Sequence, residues 1–586
     1  MVRIKRKKLT QEQKEQIAQR REVRRILSNI GFSRIPGIEG KHFIYDGRQT
    51  EMDDVFFLEN VMVIMEYTIG KGYKDHLAKK SFFYRKVLND TDAFISFILE
   101  QDQFSFFKEY YSQVVTPSYP SKSQIQLRIV YCSREEVSEE YKSSLPEINF
   151  FNYYIVDYFN CLSSALKRSA KYEFLDFINV SEEQFGSKIS NAQVLSNQVQ
   201  AYVLPEVKTF FKDGYKVITF YLDPESLLKR ACVLRHEGWR GKSSSYYQRM
   251  ADPKRIAAIR KYVATEKCVF VNNVIVTLSE DEVTFYDEHG AQIHIGDDGR
   301  FNMSNNAKAR VLRMSLNEKR NTIGIIDGQH RVFSYHEDND AYEKTISRLR
   351  KQQDLLVTGI LFPKNELQEV RRKFEARLFK DINVKQVKIN SYLQQELDLI
   401  VSPFSIVSYA KLVLLKLNES GPLAHQMELY SFDKRKVKTA SIVSFGLRPL
   451  IKLGDGVDSL FSVWTNADKN RLLQGDDGDY QLRDEYVSFC AHSIQDILLG
   501  FYECLPHGCW KPYDPKDKEN IGVLTTTFIN GCLNLLRLII ENDKKLYSSL
   551  EYQNKLKGIE RFNFKEYKSS HYREMGKDLY NTYFAR

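Results

Sequence analysis

The sequence predicts a mixed α/β protein whose last third is mostly helical, and three observations carry that reading. Short β-branched runs bounded by turn residues, at 55–58, 61–67, 125–131, 217–222 and 355–362, alternate with stretches of helical period up to about residue 400. The run Ile323-Gly324-Ile325-Ile326 ends in Asp327-Gly328-Gln329 and opens into a helix-compatible run from His330, which reads as strand, tight turn and helix start. Beyond residue 401 the strand signals stop and apolar residues recur at helical spacing, most clearly over 486–502 and 523–540. A chain of 586 residues is too long for one core, so three domains are expected, at 1–185, 186–400 and 401–586.

The first element is a helix at 11–30 with an apolar face of Ile17, Ile26, Leu27 and Ile30, preceded by the basic run Arg3, Lys5, Arg6, Lys7 and Lys8. Arg20, Arg21, Arg24 and Arg25 fall on its exposed side, where they suit phosphate neutralisation or a plain solvated face. Next come two strands joined at Glu59-Asn60. With a two-residue turn, Asp53 falls opposite Glu66 and Glu51 opposite Thr68, so alternation gathers all four on one face. Opposed like charges are costly unless a cation sits between them, which is the argument for a divalent metal such as Mg2+. A slip of one residue would bring in Asp54 for Asp53.

Helix, acidic hairpin, a strand bearing Glu66 and a helix near 74–88 resemble, in that order, the PD-(D/E)xK nuclease fold. The resemblance covers about residues 10–180 and implies a restriction-endonuclease-like domain. It implies catalytic roles for Asp53 and Glu66 and a metal set drawn from Glu51, Asp53, Asp54 and Glu66. The lysine of that family is replaced here by Thr68. Either a lysine reaches in from the next segment, with Lys74 and Lys79 the candidates, or the fold is kept for binding alone. The aromatics that follow, Phe104, Phe106, Phe107, Tyr110 and Tyr111, are expected in the core.

In the middle third, Tyr247-Gln248-Arg249 precedes a basic helix over 253–262 with Lys254, Arg255, Arg260 and Lys261; the arginine beside a glutamine suits nucleotide phosphate and base edges, or the three are surface residues of an ordinary helix entry. Strand 323–326, a helix at 338–351 and strand 355–362 imply a right-handed parallel crossover with Gly328 to Arg331 at its ligand-binding end. Glycine admits close approach, free helix-start amides attract anions, and His330 and Arg331 add donors, so a phosphate cradle is expected there. The pentapeptide Asp327-Gly328-Gln329-His330-Arg331, with Tyr247-Gln248-Arg249 upstream and the segment from Asp381 through Asn383 to Gln386 downstream, resembles the DGQHR-domain family. That family includes DndB-like regulators and is related to the ParB and sulfiredoxin fold. The resemblance implies a nucleotide site, for ATP or CTP, formed by Tyr247, Gln248, Arg249, Asp327, Gly328, Gln329, His330 and Arg331, with Asn383 and Gln386 as its second wall.

A net charge of +10 favours a polyanionic partner, and the eight dispersed cysteines fit no disulfide framework. Cys504, His507 and Cys509 are close in sequence but lack the fourth ligand of a structural zinc site. No apolar run reaches membrane-span length and no secretory signal is evident, so a cytoplasmic protein without membrane contact is expected. Taken with the resemblances, these features imply a DNA-acting protein of a prokaryotic DNA-modification or antiviral, phage-defence system. Its nucleotide-binding DGQHR domain would control a nuclease-like domain. Two alternatives are a non-enzymatic DndB-like DNA-binding transcriptional regulator and a DNA-stimulated NTP hydrolase in which Asp327 or His330 orients water. Other defence-system proteins and a second copy of the chain are the further partners implied.

Overall fold

The computed structural model describes residues 10–69, 72–186, 198–209, 211, 214–233, 252–302, 307–317, 319–320, 322–364, 366–384, 391–429, 433, 436–454, 456–474, 479–514 and 521–585. It is a mixed α/β chain with a helical C-terminal region. Two compact units divide it: residues 1–241 with 249–367, and residues 242–248 with 368–586.

Helix α1, Gln11–Ile30, starts at a capping box in which Thr10 and Gln13 satisfy each other's amides, and it stops at Gly31, whose φ of 109° ends the helix with a left-handed residue. Its buried stripe is Val23, Ile26, Leu27 and Ile30, while Ile17 is exposed. Strands β1 (Ser33–Arg34), β2 (His42–Tyr45), β3 (Arg48–Glu51), β4 (Asp54–Leu58), β5 (Val61–Thr68), β6 (Gln126–Ser133) and β7 (Asn149–Asn152) follow. Five of them form a sheet ordered β1-β4-β5-β6-β7, and β2 pairs with β3 alone. The β4-β5 hairpin turns on Glu59-Asn60, with Glu59 at φ 51°, and pairs Asp54 with Met65 and Leu58 with Val61, the expected register. β5 is buried over nearly its whole length because helices cover both faces, so its apolar run is continuous rather than alternating. Phe104, Phe107 and Tyr111 are core residues of this sheet, while Phe106 is exposed.

The remaining strands, β8 (Gln198–Val203), β9 (Lys216–Leu222), β10 (Ala231–Val233), β11 (Val274–Ser279), β12 (Val283–Tyr286), β13 (Gln292–Ile293), β14 (Arg310–Leu316), β15 (Ile323–Asp327) and β16 (Leu355–Phe362), make a sheet ordered β10-β15-β11-β16-β9-β8-β14-β12-β13. The expected parallel crossover from β15 to β16 does not form. β11 lies between them, antiparallel to β15 and parallel to β16. Local periodicity locates strands but carries no record of which distant strand fills the gap between them.

Arg260 in the helix Pro253–Glu266 is 2% exposed, and its guanidinium reaches Asp340 Oδ2 at 2.8 Å, Glu343 Oε2 at 2.7 Å and the carbonyls of Ser334 and His336 at 3.2 and 2.6 Å. This arginine ties down the chain that leaves the helix Gln329–Phe333.

The second unit begins with the helix Gln368–Val384 and packs Ile406–Glu419, Tyr480–Cys504 and Thr526–Asp543 around Tyr409, Val413, Tyr486, Ile494 and Leu536. A buried pair, Lys411 Nζ to Glu396 Oε1 at 2.6 Å, is set in it. Among the described residues no single helix is long and apolar enough to cross a membrane.

Candidate functional site

Glu66 is the centre of the first candidate site. It is fully buried on β5, and the parallel pairing with β6 sets it beside Tyr131. Asp53 stands just before β4; its Oδ2 accepts the Tyr67 amide at 3.0 Å and its Oδ1 accepts Arg20 Nη2 of α1 at 2.6 Å. Helix α2, Tyr73–Asn89, carries His76, Lys80 and Tyr84 at four-residue spacing, hence on one face. Lys80 Nζ lies 3.0 Å from Glu66 Oε2 and donates to the Glu51 carbonyl at 2.6 Å. His76 Nδ1 lies 3.0 Å from the Tyr131 hydroxyl. Oε1 of Glu66 completes no hydrogen bond among the described residues.

The electrostatics follow from this burial. Burial pushes the Glu66 carboxyl up to about 8; Lys80 opposes the shift, and Asp53 and Glu51 add to it. Asp53 is raised by burial against the pull of Arg20 and the Tyr67 amide. His76 is pushed down to about 4 by burial, with Lys80 adding to it, so its imidazole is neutral at pH 7. Tyr84 is pushed well up by burial, with the nearby Glu66 carboxylate adding to it.

The structure separates the predicted residues. Asp53 and Glu66 come together as expected. Asp54 does not join them: both its oxygens are taken by Arg24, Arg34 and the Tyr67 hydroxyl. The Glu51 carboxylate is 37% exposed and 3.6 Å from His42 Nδ1, so its backbone carbonyl faces Lys80 while its side chain does not. Thr68 is half-buried, its carbonyl bonded to Gln19. Lys79 is exposed, and the lysine that reaches the carboxylate is Lys80. Its signal was present in the sequence: Tyr73, Leu77, Lys80, Tyr84 and Val87 form the buried stripe of α2, and a lysine inside an apolar stripe needs an anionic partner. Arg20 and Arg24, expected to face solvent, are turned onto Asp53, Asp54 and Glu39, because α1 packs across the acidic hairpin.

The residues fit a divalent cation of the magnesium kind, which binds through one or two carboxylates and completes its shell with water and substrate phosphate. Asp53, Glu66 and the Glu51 carbonyl supply such a set, and the Lys80 ammonium, held by two of these oxygens, stands in for a cation. No cage of three or more His, Cys, Asp or Glu side chains occurs among the described residues, at Cys504, His507 and Cys509 included.

At the second site β15 ends in Asp327 and Gly328 takes φ 97°, a left-handed conformation that starts the five-residue helix Gln329–Phe333. The positive φ is what calls for glycine at 328; a Cβ there would also come within 2.8 Å of Arg331 Nη2, the movable end of that side chain. Arg331 Nη2 reaches Asp327 Oδ2 at 3.0 Å and donates to the Asn273 carbonyl at 2.9 Å. The amides of Arg331 and Val332 both reach the Gly328 carbonyl. His330 Nε2 accepts the Asp252 amide at 3.2 Å, and Gln329 is buried. An anion docking here competes with Asp327 for the guanidinium. Tyr247, Gln248, Arg249, Gln386 and the side chain of Asn383 lie outside the described residues.

The raised Glu66 carboxyl makes a stability prediction for the metal-free protein. In the unfolded chain this carboxyl ionises near 4.5, and in the fold near 8. Between these values the unfolded state holds fewer protons, so the group's contribution to stability is full below 4.5, falls as pH rises and is lost above 8. Urea unfolding at pH 5 and pH 8 is expected to show wild type losing a few kcal/mol more than Glu66→Gln across that window. Equal losses in the two proteins would contradict the burial argument.

No family model, curated protein or solved structure matches the chain.

Proposed function

We propose that this is a DNA-acting protein of a DNA-modification or phage-defence system, in which a magnesium-dependent phosphodiester-cleaving site is built on Asp53, Glu66 and Lys80. The observation that carries the reading is the fully buried carboxyl of Glu66, with Lys80 Nζ 3.0 Å from one oxygen and the Tyr84 hydroxyl beside it. A bound divalent cation would neutralise the scissile phosphate and lower the pKa of an attacking water. Asp53 and Glu66 would hold that cation together with the Glu51 carbonyl. Lys80 supplies a positive charge beside the phosphodiester, and the neutral His76, anchored on Tyr131, accepts or donates a hydrogen bond at the rim. Plasmid incubated with magnesium or manganese, with and without ATP or CTP, is expected to be cut by wild type and left intact by Asp53→Ala.

A second reading is a DndB-like regulator without catalysis. The Arg20–Asp53 ion pair favours it, since both Asp53 oxygens are already engaged by protein donors. DNA binding that persists in EDTA with no cutting under any condition selects this reading.

The Gly328 corner is proposed to take nucleotide phosphates, with Arg331 exchanging Asp327 for the ligand. Arg331→Ala is expected to weaken ATP or CTP binding by about 1.5 to 3 kcal/mol, the worth of a charged hydrogen bond. Calorimetric titration checks it. Unchanged affinity removes Arg331 from the site.

A further inference from the structure

We propose that the open face of the nine-stranded sheet binds single-stranded DNA by stacking bases on Tyr202, Tyr221 and Tyr286 beside Arg313. Alternation along β8, β9 and β14 buries Ala201, Phe220 and Leu312 and turns Tyr202, Tyr221 and Val311 outward, 37%, 48% and 52% exposed. Register places these outward residues side by side. Val311 pairs with Tyr202 and Tyr202 with Thr219, while Arg313 pairs with Gln200 on one side and Tyr286 on the other. The rings of Tyr202 and Tyr221 lie 6.2 Å apart at 89°, edge to face, which leaves ring surface open to solvent.

Charge then selects the occupant. The solvated face of an antiparallel sheet is normally polar. Here the outward positions of β12, β14, β8, β9 and β16 include no Asp or Glu; Tyr, Thr, Ser and Gln dominate. Arg313 is exposed and has no ion pair or hydrogen bond among the described residues. A face with the exposed rings of Tyr202 and Tyr221, the half-buried Tyr286, amide and hydroxyl donors, a free guanidinium and no carboxylate at these strand positions suits unstacked bases and their phosphates. A duplex hides its base faces and gains little from such rings. The choice of DNA over RNA rests on the function proposed above; the stacking argument does not.

The test is fluorescence anisotropy of labelled oligo(dT) of about 15 nucleotides, a length in the range one such platform covers, titrated with the full chain in EDTA. The double variant Tyr202→Ala/Tyr221→Ala is expected to bind at least about thirtyfold more weakly, given the usual worth of two stacked bases. Tyr202→Phe/Tyr221→Phe is expected to bind as wild type does. Arg313→Gln is expected to lose about fivefold and to reduce the dependence on salt. The titration in EDTA reads strand binding without the metal that the proposed cleavage needs, so the two readings can fail separately. Oligo(dT) affinity unchanged in the double alanine variant overturns the proposal, as does oligo(rU) binding tenfold tighter. Dimerisation of the wild type abolished by the same double variant, with strand binding unaffected, assigns the face to a second copy and also overturns it.

Discussion

Glu66→Gln is expected to lower magnesium-dependent DNA cleavage by at least about a hundredfold, some 2.7 kcal/mol of transition-state stabilisation. The exchange keeps shape and removes the charge that a cation needs. Because Glu66 is fully buried with Lys80 on one oxygen, the glutamine side chain fits the same space, its amide oxygen accepting from the ammonium and its nitrogen taking the place of the other carboxylate oxygen. Lys80→Met separates the roles: metal affinity is retained or raised, because the internal cation is gone, and cleavage is lost. Calorimetric titration with manganese reports the first, and gel assays of plasmid cleavage report the second. Cleavage by Glu66→Gln at wild-type rate would remove the carboxylate from the chemistry.

Arg260→Ala is expected to cost about 3 kcal/mol of stability in urea unfolding, at the low end of the range for breaking a buried ion pair. Asp340 and Glu343 are 30% and 23% exposed and recover some hydration, and Glu343 keeps Arg350 at 2.9 Å, which argues against a larger loss. The carbonyls of Ser334 and His336 are left with fewer donors. Arg260→Lys is expected to recover only part of the loss, since one ammonium cannot span two carboxylates and two carbonyls. A loss below about 1 kcal/mol would contradict the structural role given to this residue.

The hairpin was legible from sequence because a two-residue turn leaves one register, and alternation then fixes which carboxylates face each other. The side chain that completes the cluster was placed one residue off, at Lys79. The deciding fact, that Lys80 falls on the buried stripe of α2, becomes visible only when Tyr73, Leu77 and Tyr84 are counted as apolar positions. Arg20 and Arg24 were read as solvent-facing, and Arg260 only as one charge of a basic helix, because composition counts charge without saying which arginine meets a carboxylate across the fold. Asp54, Glu39 and Asp340 are distant in sequence from the guanidiniums that hold them. The β15 turn was found from local signals alone, while its antiparallel pairing with β11 was not, since strand order in a mixed sheet depends on long-range pairing. Helical period sufficed for the C-terminal unit, where Tyr480–Cys504 and Thr526–Asp543 fall close to the expected 486–502 and 523–540.

The seat for a cation between Asp53, Glu66 and the Glu51 carbonyl is tested most directly by anomalous diffraction from crystals soaked in manganese. The expected map shows a peak bonded to Glu66 and Asp53, with Lys80 and Arg20 moved off those carboxylates. Full manganese occupancy elsewhere, with Lys80 still on Glu66 and no peak beside it, would contradict the account.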